Sequence, residues 1–155
     1  MKKIMFICTG NTCRSPMAMG LFREMLKQRG IEDVVCESAG LYAMAGDAAE
    51  LNAVEAAREL GADISAHRAR PFSPYMAQDT DLFVCMTPVH ALQLYDIPEE
   101  KKYILAGGVP DPYGGEPEEY RKCAKLIERR ILRLQNQFSE FNILVLTPGI
   151  FKNIR

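Results

Sequence analysis

Cys8 and Arg14, separated by Thr9-Gly10-Asn11-Thr12-Cys13, are the side chains of this sequence best suited to chemistry. A thiolate is a strong nucleophile that needs cationic surroundings to persist at neutral pH, and a guanidinium offers a planar fork matching two phosphate oxygens. The apolar run Ile4-Met5-Phe6-Ile7 precedes the pair, and an amphipathic stretch from Met17 to Leu26 follows it. That order reads as buried strand, tight loop and helix, with Pro16 in the first helical turn, where its missing N–H costs nothing. A loop feeding a helix N-terminus gathers backbone N–H groups and the positive end of a dipole into one small space, which suits an anion. A Cys nucleophile and an Arg clamp on one phosphate-sized nest imply phosphoryl transfer through a phosphocysteine intermediate. The competing reading makes Cys8 a buried thiol at a strand end and Arg14 a surface residue.

The elements that must position these residues follow from the apolar pattern. Lys2 to Cys8 reads as a first buried strand, and Met17 to Arg29 as a helix with Leu21, Phe22, Met25 and Leu26 on one face and Gly30 as its stop. Asp33 to Glu37 reads as a second strand, closed by Ser38-Ala39-Gly40. Asp47 is expected to cap a helix over Ala48 to Leu60. Ile64 to Pro71, with His67, Arg68 and Arg70, is polar and basic, and a solvated connector is its simplest reading. Pro74 to Ala77 can begin a short helix, and Asp81 to Met86 is a third buried strand. Thr87 then caps a helix that starts at Pro88 and runs towards Leu94. Lys102 to Leu105 is a short fourth strand, a Gly- and Pro-rich loop surrounds Asp111-Pro112, and a long helix spans about Pro117 to Phe138. Strands alternating with helices predict an α/β fold with a parallel sheet and a ligand at the strands' carboxyl ends, where Cys8 falls.

The motif Cys8-x5-Arg14-Ser15-Pro16, with Gly10-Asn11, Cys13 and a distant Asp111-Pro112, resembles the low-molecular-weight protein tyrosine phosphatase family. The resemblance implies a four-stranded parallel sheet flanked by helices on both faces, and it covers roughly residues 2 to 138. It makes residues 1–138 a phosphatase domain and 139–155, with its apolar run from Phe141 to Pro148, a C-terminal extension without clear family counterpart. That extension can pack on its own domain, pair with another chain or be disordered. The resemblance also assigns roles. Cys8 attacks phosphorus, Arg14 grips equatorial oxygens, and Asp111 protonates the leaving atom and then activates water. Thr9, Gly10, Asn11, Thr12, Cys13 and Ser15 bind the phosphoryl group, and Ser15 either bonds the sulfur or only caps the helix. Asn11 tolerates left-handed backbone angles and can brace the loop. Tyr42 and Tyr113 are pocket walls for a flat substrate group or ordinary surface tyrosines. Residues 64–71 resemble a family segment that frames the site.

Substrate choice turns on Thr12 and Gly114. Many tyrosine phosphatases of the family carry a bulky aliphatic residue at the place of Thr12, whereas members resembling protein arginine phosphatases carry Thr. Gly114 stands where tyrosine-specific relatives often have a second aromatic residue. Both features tilt the reading towards phosphoarginine, with phosphotyrosine close behind. Cys13 is either a packing residue or a partner that traps an oxidised Cys8 as a disulfide. Two further classes share parts of this pattern. A thioredoxin-linked arsenate reductase needs two more cysteines a few residues apart, and Cys85 is isolated. A non-catalytic phosphoprotein-binding module could dispense with Cys8 or Asp111.

Composition bounds the rest. The 155 residues suit one domain, and the net charge of −1 supplies no basic field for nucleic acid or a membrane surface. The apolar run after Met1-Lys2-Lys3 is too short for a signal peptide. Five cysteines, an odd number without zinc-like spacing, fit a reducing cytoplasmic setting, with Cys36, Cys85 and Cys123 as small buried hydrophobes. His67 and His90 are the only histidines, no His, Asp and Cys cluster has metal-ligand spacing, and the implied chemistry needs no metal, so no cofactor is expected. Phosphorylated proteins are the expected partners, and the chain itself a monomer or weak homodimer.

Overall fold

A computed structural model of the protein describes residues 2–105 and 107–134. Strands β1 (Lys2–Cys8), β2 (Val34–Gly40), β3 (Leu82–Cys85) and β4 (Lys102–Ile104) form one sheet in the order β2-β1-β3-β4, with every pairing parallel. β1 is therefore hydrogen-bonded on both edges. Its alternate side chains feed two cores, as a strand's two-residue period requires. Ile4, Phe6 and Cys8 face helices α1 (Arg14–Gln28), α2 (Leu51–Glu59) and α4 (Pro117–Leu134). Met5 and Ile7 face the other way, towards α3 (Pro88–Gln93) and the turn Pro74–Gln78. The expected doubly covered parallel sheet is thus present, and the chain leaves β1 to one neighbour and later returns to the other. The carboxyl end of β1 lies at that switch point, where open α/β sheets bind ligands.

Several element boundaries differ from expectation, and three of them have a local reason. Helix α1 begins at Arg14, with Pro16 as its third residue, because Arg14 and Ser15 are buried by the loop beside them and not by an apolar stripe. Helix α2 begins at Leu51, and Asp47 does not cap it. The chain before it is instead held extended: Asp47 O accepts from Ala69 N at 2.7 Å, Ala48 bridges to Arg68, and Glu50 N donates to Thr12 O at 3.0 Å. Strand β2 runs through Ser38-Ala39-Gly40, because pairing with β1 continues to Cys8 opposite Gly40. Thr87 and Pro88 open α3 as expected, with Thr87 Oγ1 accepting from His90 N. The end of the long helix beyond Leu134 and the extension 139–155 lie outside the described residues. No helix among the described residues is long and apolar enough to cross a membrane.

Candidate active site

The loop from Thr9 to Cys13 is built by turning its carbonyls outward. Cys8 O accepts from Leu41 N, Thr9 O from Tyr42 N, Asn11 O from His67 Nε2, and Thr12 O from Glu50 N, at 2.7 to 3.0 Å. A trans peptide holds its C=O and the following N–H on opposite sides. No described peptide is cis, so the N–H groups of Thr9, Gly10, Thr12 and Cys13 point away from the partners of those carbonyls, free to face an anion. Cys13 takes the N-cap position of α1 without offering a side-chain cap, which leaves that helix end open to an anion.

Asn11 is the joint of this construction. It is fully buried and is the one non-glycine residue of the described chain with a positive φ, at 58°. Its amide nitrogen donates to Ser15 Oγ (2.8 Å) and Ser38 Oγ (2.9 Å), and its amide oxygen accepts from Arg70 N at 3.0 Å. Every polar atom of the side chain thus has a partner, and so the loop's shape is over-determined. Because Ser15 Oγ accepts from Asn11, the serine's own hydrogen is left for Cys8 Sγ, 2.9 Å away. Asn11 N also donates to Cys8 Sγ, at 3.3 Å. Ser15 therefore does more than sit in the first helical turn.

Arg14 is 5% exposed, and each of its bonds has a distant owner. Nη1 donates to Val109 O (3.0 Å), and Nη2 lies 3.4 Å from Thr9 Oγ1 and 3.5 Å from Asp111 Oδ2. Asp111 itself is half exposed, and its Oδ1 accepts from Tyr113 N at 3.0 Å. A hollow of about 300 Å³ unites the predicted residues: Cys8 to Arg14, Tyr42, Asp111 and Tyr113 line it, joined by Met44, Asp47 and Glu50. Tyr42 and Tyr113, each 70% exposed, stand at its mouth. Gly114 has φ 78°, so the turn after Asp111 gives glycine at this place a backbone reason.

Sequence reasoning missed several supporting residues. Of the two readings of residues 64–71, connector or site-framing segment, His67 and Arg70 take the second: they hold the carbonyl and the side chain of Asn11, and burial pushes His67 below its usual value. His90 is buried, with Nε2 2.9 Å from Thr9 Oγ1 and Nδ1 3.0 Å from Thr87 Oγ1. Burial, aided by the charge of Arg14, lowers it to about 4, so it is neutral at physiological pH. Cys13 Sγ donates to the Tyr120 hydroxyl at 3.6 Å, and burial pushes its thiol up to about 11. Burial likewise raises Cys36, Cys85 and Cys123 to about 12, which makes them inert core thiols. None of these contacts has a sequence signal, except that Thr87-x-x-His90 is a helix-cap spacing.

This geometry has known counterparts. The family model for low molecular weight phosphotyrosine protein phosphatase matches residues 3–142. A Bacillus subtilis protein named protein-arginine-phosphatase is 33% identical over 88% of this chain and 97% of its own. The Escherichia coli K12 low molecular weight protein-tyrosine-phosphatase Wzb is also 33% identical, over 81% of this chain and 88% of its own. Among solved structures, YwlE arginine phosphatase, as a cysteine-to-serine mutant with a phosphorylated active-site serine, superposes with a TM-score of 0.80. It is 32% identical and covers 88% of this chain and 95% of its own. A low molecular weight protein tyrosine phosphatase from T. tengcongensis gives 0.81 at 35% identity, covering 88% and 99%. With a match to the family model over most of its length and relatives at this level, the chain belongs to the low molecular weight phosphotyrosine protein phosphatase family.

Proposed function

We propose that this protein is a cysteine-dependent phosphatase that hydrolyses phosphorylated proteins through a phosphocysteine intermediate. The observation that carries the reading is Cys8 Sγ, held by Ser15 Oγ and Asn11 N in the floor of an N–H-lined nest that Arg14 closes. The Cys8 thiolate attacks phosphorus, and the bond to the leaving oxygen or nitrogen breaks. Asp111 gives that atom its proton, then takes one from the water that attacks phosphocysteine, and Cys8 departs as a thiolate steadied by Ser15. Phosphate draws the Arg14 fork to its oxygens and so loosens the Asp111 contact. Residues 1–138 form the catalytic domain in this reading and 139–155 an extension, and its thiols suit a reducing cytoplasm.

Phosphoarginine is the favoured substrate, with phosphotyrosine second. Thr12, short and hydroxylated, lines the hollow, and the likeness to relatives named protein-arginine-phosphatase supports the choice. One set of assays tests both levels. Wild type should turn over para-nitrophenyl phosphate, and Cys8→Ser should lose that activity yet still bind vanadate. Thr12→Ile should keep the generic activity while shifting the ratio of kcat/KM from phosphoarginine to phosphotyrosine peptides by about 10- to 200-fold, as one methylene-scale change allows. An active Cys8→Ser variant overturns the phosphocysteine route, and a ratio indifferent to Thr12 overturns the phosphoarginine choice.

A further inference from the structure

Thr87, His90 and Thr9 form a chain of side chains that starts at the cap of α3 and ends in the anion nest. Its bond directions can be worked out from the groups that have no choice. Arg14 Nη2 can only donate, so Thr9 Oγ1 accepts from it. The His90 main-chain N–H can only donate, so Thr87 Oγ1 accepts from it at 3.3 Å. Thr87 keeps its hydroxyl hydrogen, as does Thr9, and the neutral ring of His90 has one hydrogen to place between contacts of 3.0 and 2.9 Å. Only two arrangements use both contacts. In one, Thr9 donates to Nε2, Nδ1–H donates to Thr87, and the spare hydrogen lies on Thr87, away from the nest. In the other, Thr87 donates to Nδ1, Nε2–H donates to Thr9, and the spare hydrogen lies on Thr9, which lines the hollow. The two have equal numbers of internal hydrogen bonds. An anion in the nest breaks the tie, because the second alone gives it a further donor.

We infer that His90 is a positioning residue that, through its Nε2–H tautomer, turns the Thr9 hydroxyl onto a phosphoryl oxygen and keeps Thr9 as the acceptor that aligns Arg14. The inference rests on the phosphatase reading and adds to it a donor and a remote residue that sets the donor's direction. His90 is 4% exposed, so water does not compete for either ring nitrogen. Arg14 and Asp111 are the charged groups that face it. The change of tautomer conserves hydrogens: Nδ1 releases a proton to solvent, Nε2 takes one up from solvent at the hollow that Thr9 lines, the two hydroxyls rotate, and the total stays at three hydrogens on three groups.

The test uses wild type, Thr9→Val, Thr9→Ser, His90→Leu and the Thr9→Val/His90→Leu double variant, with para-nitrophenyl phosphate turnover and vanadate affinity. A hydrogen bond to a charged group predicts that Thr9→Val lowers kcat/KM about 10- to 100-fold, and that Thr9→Ser restores it to within about threefold. His90→Leu should lower it about 3- to 10-fold in wild type and by nothing further in Thr9→Val, since it acts through that hydroxyl. Nitrogen NMR of the wild-type imidazole should show the hydrogen on Nε2 once vanadate is bound, a readout that packing alone would not move and that does not depend on any variant folding. An Nδ1–H ring in the vanadate complex, or an equal loss from His90→Leu in both backgrounds, overturns the inference. A wild type that neither binds vanadate nor turns over the ester overturns the phosphatase reading instead.

Discussion

Asp111 makes one contact that would serve an ordinary Asx turn, and its proposed chemistry is separable from that role. Its Oδ1 accepts from Tyr113 N, while Oδ2 faces Arg14 at the edge of the hollow. Asp111→Asn retains an acceptor for Tyr113 but carries no proton for a leaving group. Its kcat should therefore fall far more for alkyl than for nitrophenyl phosphates, by about 10²- to 10⁴-fold at the poor leaving-group end. Equal losses across a leaving-group series would return Asp111 to a structural turn. Cys13 shows how a residue's environment modifies its sequence reading. Its thiol is raised to about 11 by burial and donates to Tyr120, so as a trap for oxidised Cys8 it would react slowly at neutral pH. Cys8, Arg14, Thr12 and the left-handed Asn11 were legible because loop chemistry is local, whereas Asp111, far along the chain, entered only through the family resemblance. The individual contacts of His67 and Arg70, and the whole role of His90, were not legible, because each meets the loop across 56 to 81 residues of chain and looks like an ordinary polar residue in its own segment.

Strands and helices were readable where burial follows period, and less so where the loop itself does the burying. β1, β3 and α4 announced themselves through apolar runs or a helical stripe. The start of α2 did not, because backbone bonds from Thr12 and Ala69 hold residues 47–50 extended against the preference of Asp47 for a cap. Gly40, at the end of β2, is the position where an element's geometry controls the site. A Cβ placed there would lie 2.5 Å from Thr9 O and 2.9 Å from Asn11 N, both backbone atoms of the phosphate loop. Gly40→Ala should thus push the loop out of shape. We expect a loss of about 1–3 kcal/mol in denaturant unfolding and roughly 100-fold in kcat/KM, the scale on which small displacements of a reacting centre act. A stable variant of undiminished activity would mean that the loop can move without consequence.

Across the whole molecule, the two histidines tie folding to pH. His90 stays neutral down to about 4 in the folded chain and ionises near its ordinary 6.5 when unfolded. His67 is displaced in the same direction by burial and by Arg23, Arg68 and Arg70. Between those values the unfolded state binds more protons, so this part of the stability is complete above about pH 6.5 and is lost as pH falls towards 4. For His90, moving from 6.5 to about 4 corresponds to roughly 3 kcal/mol. Urea titrations at pH 7.5, 6.0 and 5.0 should show falling stability in wild type and a shallower fall in His90→Gln; parallel slopes would exclude His90 as the linked group. The ties around the nest also set an order of events during synthesis. Cys8 leaves the ribosome before its supports do, for its loop is held by residues 38 to 70, and Arg14 is held by Val109, 95 positions later. The nascent nucleophile therefore waits on residues made after it, and its site becomes competent only once Val109 has emerged.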